Sequence, residues 1–103
     1  MRMLLKVVVD TDAGNEALRN GSLPKIVQTI VDQLHPEAAY FAPEDGQRAM
    51  FLVFDMTSPS QLPAVTEPMF QGARARVTIT PCMNLEDLQE GLAHVPPEVL
   101  LGS

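Results

Sequence analysis

The order in which apolar runs alternate with helix-like stretches constrains this chain more than any other feature. Apolar runs fall at Met3–Val9, Ala38–Ala42, Met50–Phe54 and Val77–Ile79. The middle two are joined by Pro43-Glu44-Asp45-Gly46, residues that favour a reverse turn. The other two gaps are long enough to hold a helix each. The order is therefore strand, helix, a pair of strands joined by a turn, helix and strand, with a further helix to close. That is an α+β arrangement around one antiparallel four-stranded sheet.

Each element has a local cause. A first strand over Met3–Asp10 sets Met3, Leu5, Val7 and Val9 on one face and Leu4, Lys6, Val8 and Asp10 on the other. Asp10-Thr11-Asp12-Ala13-Gly14-Asn15 reads as a loop or the start of a short helical turn that ends near Asn20-Gly21. Ser22 is expected to cap a helix with Pro24 in its first turn; Ile26, Val27, Ile30, Val31 and Leu34 make its apolar stripe. His35-Pro36 ends that helix, because the residue before proline is pushed out of the α region. The hairpin strands, Ala38–Ala42 and Arg48–Met56, flank a Pro43–Gln47 loop. Ser60 and Pro63 open a second helix with Leu62, Val65, Met69 and Phe70 on its apolar side; Pro68 predicts a kink or a shortening, and Gly72 the end. The last strand is expected over Ala73–Thr80. Asn84, followed by Glu86 and Asp87, caps a final helix carrying Leu85, Leu88 and Leu92. A single domain over 1–95 with a tail over 96–103 accounts for the chain.

Composition excludes several partners. The 103 residues carry a net charge of −6 with the basic residues scattered, which disfavours nucleic acid and anionic membrane surfaces. The N-terminal apolar stretch is interrupted by Lys6 and lacks a small-residue cleavage site, so it does not read as a signal peptide. No run approaches the ~20 apolar residues that span a bilayer. A lone Cys82 forms no internal disulfide framework, and a cytoplasmic protein is expected. No cofactor or metal motif is present. Asp10, Asp12 and Glu16 imitate the opening of a calcium loop, but position twelve would be Gly21 and position six Asn15.

A βαββαβ order of this kind is ferredoxin-like: the first and third strands are central, and both helices lie on one face. The third strand is apolar on both sides, with Met50, Leu52, Phe54 and Met56 opposite Phe51 and Val53. An uncovered apolar face of several hundred Å² is one that monomers seldom tolerate. A symmetric homodimer through the sheet is the simplest cover.

The strings Val8-Val9-Asp10, Ala39-Tyr40-Phe41, Phe51-Leu52-Val53-Phe54-Asp55-Met56 and Thr80-Pro81-Cys82-Met83-Asn84, taken with this order, resemble the dimeric α+β barrel superfamily. Within it the chain is similar to small bacterial members with no assigned activity. The resemblance spans nearly the whole chain and carries no catalytic signature. It implies two sheets packed face to face around a partly closed barrel. Other members are cofactor-free monooxygenases, isomerases, cyclases or haem enzymes. The monooxygenase Trp/Asn/His set has no counterpart, since the chain contains no Trp, and neither His35 nor His94 stands in a haem-binding motif.

Candidate functional residues follow. Tyr40, Met50 and Phe54 are expected as walls of a cleft for a small organic molecule, with Arg76 as a polar anchor. Lys6, Arg74, Thr78 and Thr80 accompany Arg76 if they share its face; otherwise they form a solvated edge. A cofactor-free isomerase, cyclase or oxygenase needs a general base, for which His35 and His94 are the candidates. Cys82 reads as a buried or interface cysteine rather than a nucleophile. The alternative is a non-catalytic sensing or assembly module. The Asp10–Asn15 stretch between strand and helix is similar to the ligand loop of ACT domains.

Overall fold

A computed structural model describes residues 1–101 of the chain. Strands β1 (Arg2–Val8), β2 (Ala38–Glu44), β3 (Gln47–Asp55) and β4 (Arg76–Pro81) form one antiparallel sheet in the order β2-β3-β1-β4. The two strands with the most continuous apolar sequence, β1 and β3, are central. Edge strands β2 and β4 hold Tyr40, Arg76 and Thr78, which water can solvate. Five helices complete the described residues: α1 (Thr11–Arg19), α2 (Ser22–Leu34), α3 (Leu62–Ala73), α4 (Leu85–Ala93) and α5 (Pro97–Leu100).

Register sorts the side chains by face. Met3, Leu5 and Val7 pair with Phe54, Leu52 and Met50, and these are buried beneath Ala17, Leu23, Ile30, Leu34, Val65, Met69 and Ala73 of α1, α2 and α3. That side is the core. The opposite side carries Leu4, Lys6 and Val8 opposite Val53, Phe51 and Ala49, and no helix packs on it. The large apolar row of β3 therefore lies under the helices. The row left open is the shorter one, Phe51 and Val53, both half-buried beside Leu4.

Of the two readings of the Asp10–Asn15 stretch, the structure takes the helical one: it opens the nine-residue helix α1, which Asp10 caps by accepting the Ala13 N–H at 2.9 Å and Asn20 closes. Three boundaries differ from the sequence expectation. Gly21 in the left-handed region, rather than Ser22, caps α2. The hairpin loop is only Asp45-Gly46, both at positive φ (50° and 76°), the two-residue turn whose twist matches its strands; Pro43, Glu44 and Gln47 thus belong to the strands. Strand β4 starts at Arg76, because Arg74 at φ 45° closes α3 in the left-handed region.

Helix α3 is not shortened at Pro68 and ends at Ala73, one residue past the expected Gly72. It is preceded by a 3-10 turn, Pro59–Gln61, capped by Ser58. The N–H that Pro68 lacks would have met the carbonyl of Ala64, an exposed residue that water can serve. Burial of Val65, Met69 and Ala73 at i, i+4 and i+8 holds the helix together across the proline. A Cβ at the exposed Gly72 would sit 2.6 Å from Ile26 Cδ1 of α2, the far end of a side chain that can shift aside.

The chain after β4 departs from the body. Asn84 and Asp87 form a capping box that starts α4, yet no residue of α4 or α5 is buried. Lack of burial is thus common to α4, inside the expected 1–95 domain, and to the tail from Pro96, of which Gly102 and Ser103 lie outside the described residues. The extents are 57 × 29 × 20 Å and the radius of gyration is 16.9 Å. A compact chain of this length would have a radius of ~13 Å.

Candidate functional site

The helical layer stops short of the β2 edge. Phe41 of β2, whose partner Met50 is buried in the core, is itself 59% exposed. Between α2 and the hairpin lies a cavity of about 340 Å³ bounded by Val9, Leu23, Val27, Phe41, Met50 and Met69, with Ala42, Pro43, Ala49 and Arg48 at its hairpin side. An apolar groove continues from it along α2, past Pro24, Val27 and Val31, to Leu18 and Ala39. The volume is at the lower end of the range of small-molecule sites.

Arg48 is the only charged residue in that lining. Strand alternation puts it on the face of Met50, Leu52 and Phe54, so a guanidinium stands at the rim of an apolar surface. Its Nη2 donates to Asn15 Oδ1 of α1 at 3.0 Å, and its backbone carbonyl accepts the Val9 N–H at 2.9 Å. Gly14 allows this approach: a Cβ there would lie 2.8 Å from Val9 Cγ1 and 2.9 Å from Arg48 Nη1. Among the described residues Arg48 has no carboxylate partner within ion-pair distance. Its remaining N–H donors can serve a bound anion or carbonyl oxygen.

The sheet separates the residues that sequence reasoning grouped together. Met50 lines the cavity; Phe54 is buried deeper in the same core, 1% exposed, outside the cavity lining. Tyr40 and Arg76 lie on the open face and on opposite edge strands. Tyr40, Phe51, Lys6 and Thr78 form one row across that face, and Ala42, Ala49, Val8 and Arg76 the next. Lys6 pairs with Glu44 at 2.5 Å, and Arg76 Nη2 donates to Gln47 Oε1 at 3.3 Å. Thr80 shares the face opposite Leu4, whereas Arg74 lies outside the strand.

His35 is the left-handed C-cap of α2 and His94 the C-cap of α4, with its Nδ1 2.7 Å from the Glu90 carbonyl oxygen. Both are exposed, and neither lines the cavity. Cys82 is half-buried and donates its N–H to the Arg2 carbonyl. Arg2 bridges Glu37 and Asp87 at 2.5 and 3.1 Å; the hydrogen bond to Glu37, then the charges of Glu37 and Asp87, raise its already high pKa. Among the described residues no three His, Cys, Asp or Glu side chains cluster as metal ligands. No helix is long and apolar enough to cross a membrane.

The signal for Arg48 was present in the sequence as a charge in phase with the apolar row of β3. Phe41, Val27 and Leu23 carried no such signal, because their convergence depends on where α2 crosses the sheet. The fold and site define an α+β protein with an apolar, arginine-rimmed cavity at one edge of a four-stranded antiparallel sheet. No family model matches the chain, and no curated protein is detectably similar to it.

Proposed function

We propose that this protein binds a small organic molecule, with an apolar body and an anionic or carbonyl end, in the α2–β2 cavity. The protein acts as a cytoplasmic homodimer of ferredoxin-like topology, akin to the dimeric α+β barrel superfamily. The observation that carries the binding reading is Arg48, an ionised group without a carboxylate partner among the described residues, fixed by Asn15 beside apolar walls. A guanidinium matches a carboxylate in a two-point geometry. Expulsion of water from the cavity strengthens that contact.

Binding without turnover is the form the geometry favours. A general base must reach the proton it takes, and His35 and His94 lie outside the cavity lining. The Asp10–Asn15 segment lies beside the cavity, with Asn15 holding Arg48 and Gly14 beneath it, which supports the sensing alternative over the cofactor-free isomerase, cyclase or oxygenase reading. The homodimer is supported by the helix-free face of the sheet, where Leu4, Phe51 and Val53 stay half-buried and Tyr40 is 69% exposed.

Calorimetric titration with octanoate and with 1-octanol tests the binding reading. The wild type is expected to bind both saturably, octanoate more tightly. Arg48→Gln should weaken octanoate about tenfold or more, from the ~1.5–3 kcal/mol of hydrogen bonds to charged groups, and leave octanol unchanged. Val27→Trp should abolish both. No saturable binding by the wild type, or equal affinities in Arg48→Gln and wild type, would overturn the proposal. Should a substrate be found, turnover that survives both His35→Ala and His94→Ala excludes histidine catalysis.

A further inference from the structure

We infer that the C-terminal arm, Met83–Leu101, clasps a second copy of this chain seated on the open face of the sheet. The inference rests on the homodimer proposed above and adds the arm to its interface. Leu85, Leu88 and Leu92 recur at i, i+3 and i+7 along α4, with Met83 before them and Val99, Leu100 and Leu101 beyond. All seven are at least 40% exposed. An amphipathic helix whose apolar stripe meets nothing on its own chain has its partner elsewhere.

Three observations assign that partner. The first is position. Arg2 lies on the open side of β1, and its Nη1 donates to Asp87 in the first turn of α4 at 3.1 Å. The arm is thereby tethered at one end of the open face, and a body seated on that face meets it. The second is charge. The arm contains Glu86, Asp87, Glu90 and Glu98 and no Lys or Arg. The open face carries Arg2, Lys6 and Arg76 beside Glu44 and Asp55; Lys6 is paired with Glu44, whereas Arg76 has no carboxylate partner among the described residues. A second copy therefore offers the guanidinium of Arg76 to an acidic arm.

The third is area. Burial of an aliphatic side chain removes on the order of 100 Å² from water. On the open face Leu4, Phe51 and Val53 are already half-buried and Tyr40 adds one exposed ring, whereas a stable interface takes ~800 Å² per partner. The seven arm side chains bring the total to about that size.

Sedimentation equilibrium of the full chain over a dilution series tests the inference, with Leu88→Glu/Leu92→Glu altering the arm and Tyr40→Glu the open face. All three positions are exposed in the single chain, so far-UV circular dichroism should be unchanged. The expected result is a wild-type dimer at low micromolar concentration, weakened at least 100-fold by the arm variant and at least tenfold by Tyr40→Glu. Weakening by Tyr40→Glu alone overturns the clasp and leaves the sheet-face dimer standing. Weakening by the arm variant alone places the arm against some other surface and also overturns the inference. A wild-type monomer at 100 micromolar defeats both the clasp and the homodimer.

Discussion

Gly14 shows how one missing carbon positions a site. It lies inside α1, where glycine disfavours helix by ~1 kcal/mol relative to alanine. Its reason is the close approach of Val9 and Arg48. Arg48 can swing aside, being the end of a long side chain, but Val9 is β-branched and buried. Gly14→Ala is therefore expected to lose ~1–3 kcal/mol to overpacking, only partly offset by its better helix propensity. A lower melting temperature, accompanied by weaker octanoate binding as Arg48 is displaced, is the outcome to look for. Melting at or above the wild-type temperature would show that the pocket beneath α1 can adapt.

Among the elements, α3 carries the clearest conflict between local preference and packing. Pro68 removes an intrahelical hydrogen bond, yet the helix continues because Val65, Met69 and Ala73 are anchored on the sheet side. Tertiary burial outweighs a local penalty of about 3 kcal/mol. Restoring the N–H with Pro68→Ala is expected to stabilise the chain by ~1–2 kcal/mol, the loss of the half-buried pyrrolidine offsetting part of the gain. At 4–8 °C per kcal/mol for a domain of about this size, thermal unfolding should shift upward by roughly 5–15 °C. Circular dichroism at 222 nm during heating measures it, and a downward shift would mean that the proline ring itself is a packing group.

For the whole molecule, the notable property is the imbalance between a dry helix-covered face and the apolar surface left on the sheet and arm. No polar or charged residue is buried among those described, so the core is a plain apolar one and ionic contacts are confined to the surface. The five ion pairs found among the described residues include the Arg2 bridge between Glu37 and Asp87, which screening by salt weakens. If association covers the open face and the arm, unfolding is linked to dissociation, and the melting temperature should rise with protein concentration. Differential scanning calorimetry at a few micromolar and at a few hundred micromolar distinguishes this from a monomer, whose melting temperature would not move. The rise should be smaller in Leu88→Glu/Leu92→Glu.

Period and punctuation in the sequence determined the element order, the two-faced character of β3, the end of α2 before Pro36 and the capping box of α4. These depend on interactions within a few residues, such as the alternation of side chains along a strand, the clash before proline and the reach of Asn84 to Asp87. The persistence of α3 through Pro68 was decided by tertiary packing, where burial of Val65, Met69 and Ala73 overrode a local preference, whereas the Asp45-Gly46 turn sets the extent of the hairpin strands and Asp10 caps the helix that begins at Thr11. The site divides in the same way. The phase of Arg48 within β3 was legible, but the cavity exists because α2 crosses the sheet short of the β2 edge, a distance no local pattern encodes. Tyr40 and Met50 come from neighbouring strands and end on opposite sides of the sheet, because register and pleat, fixed only when β3 docks between β2 and β1, assign each residue its face.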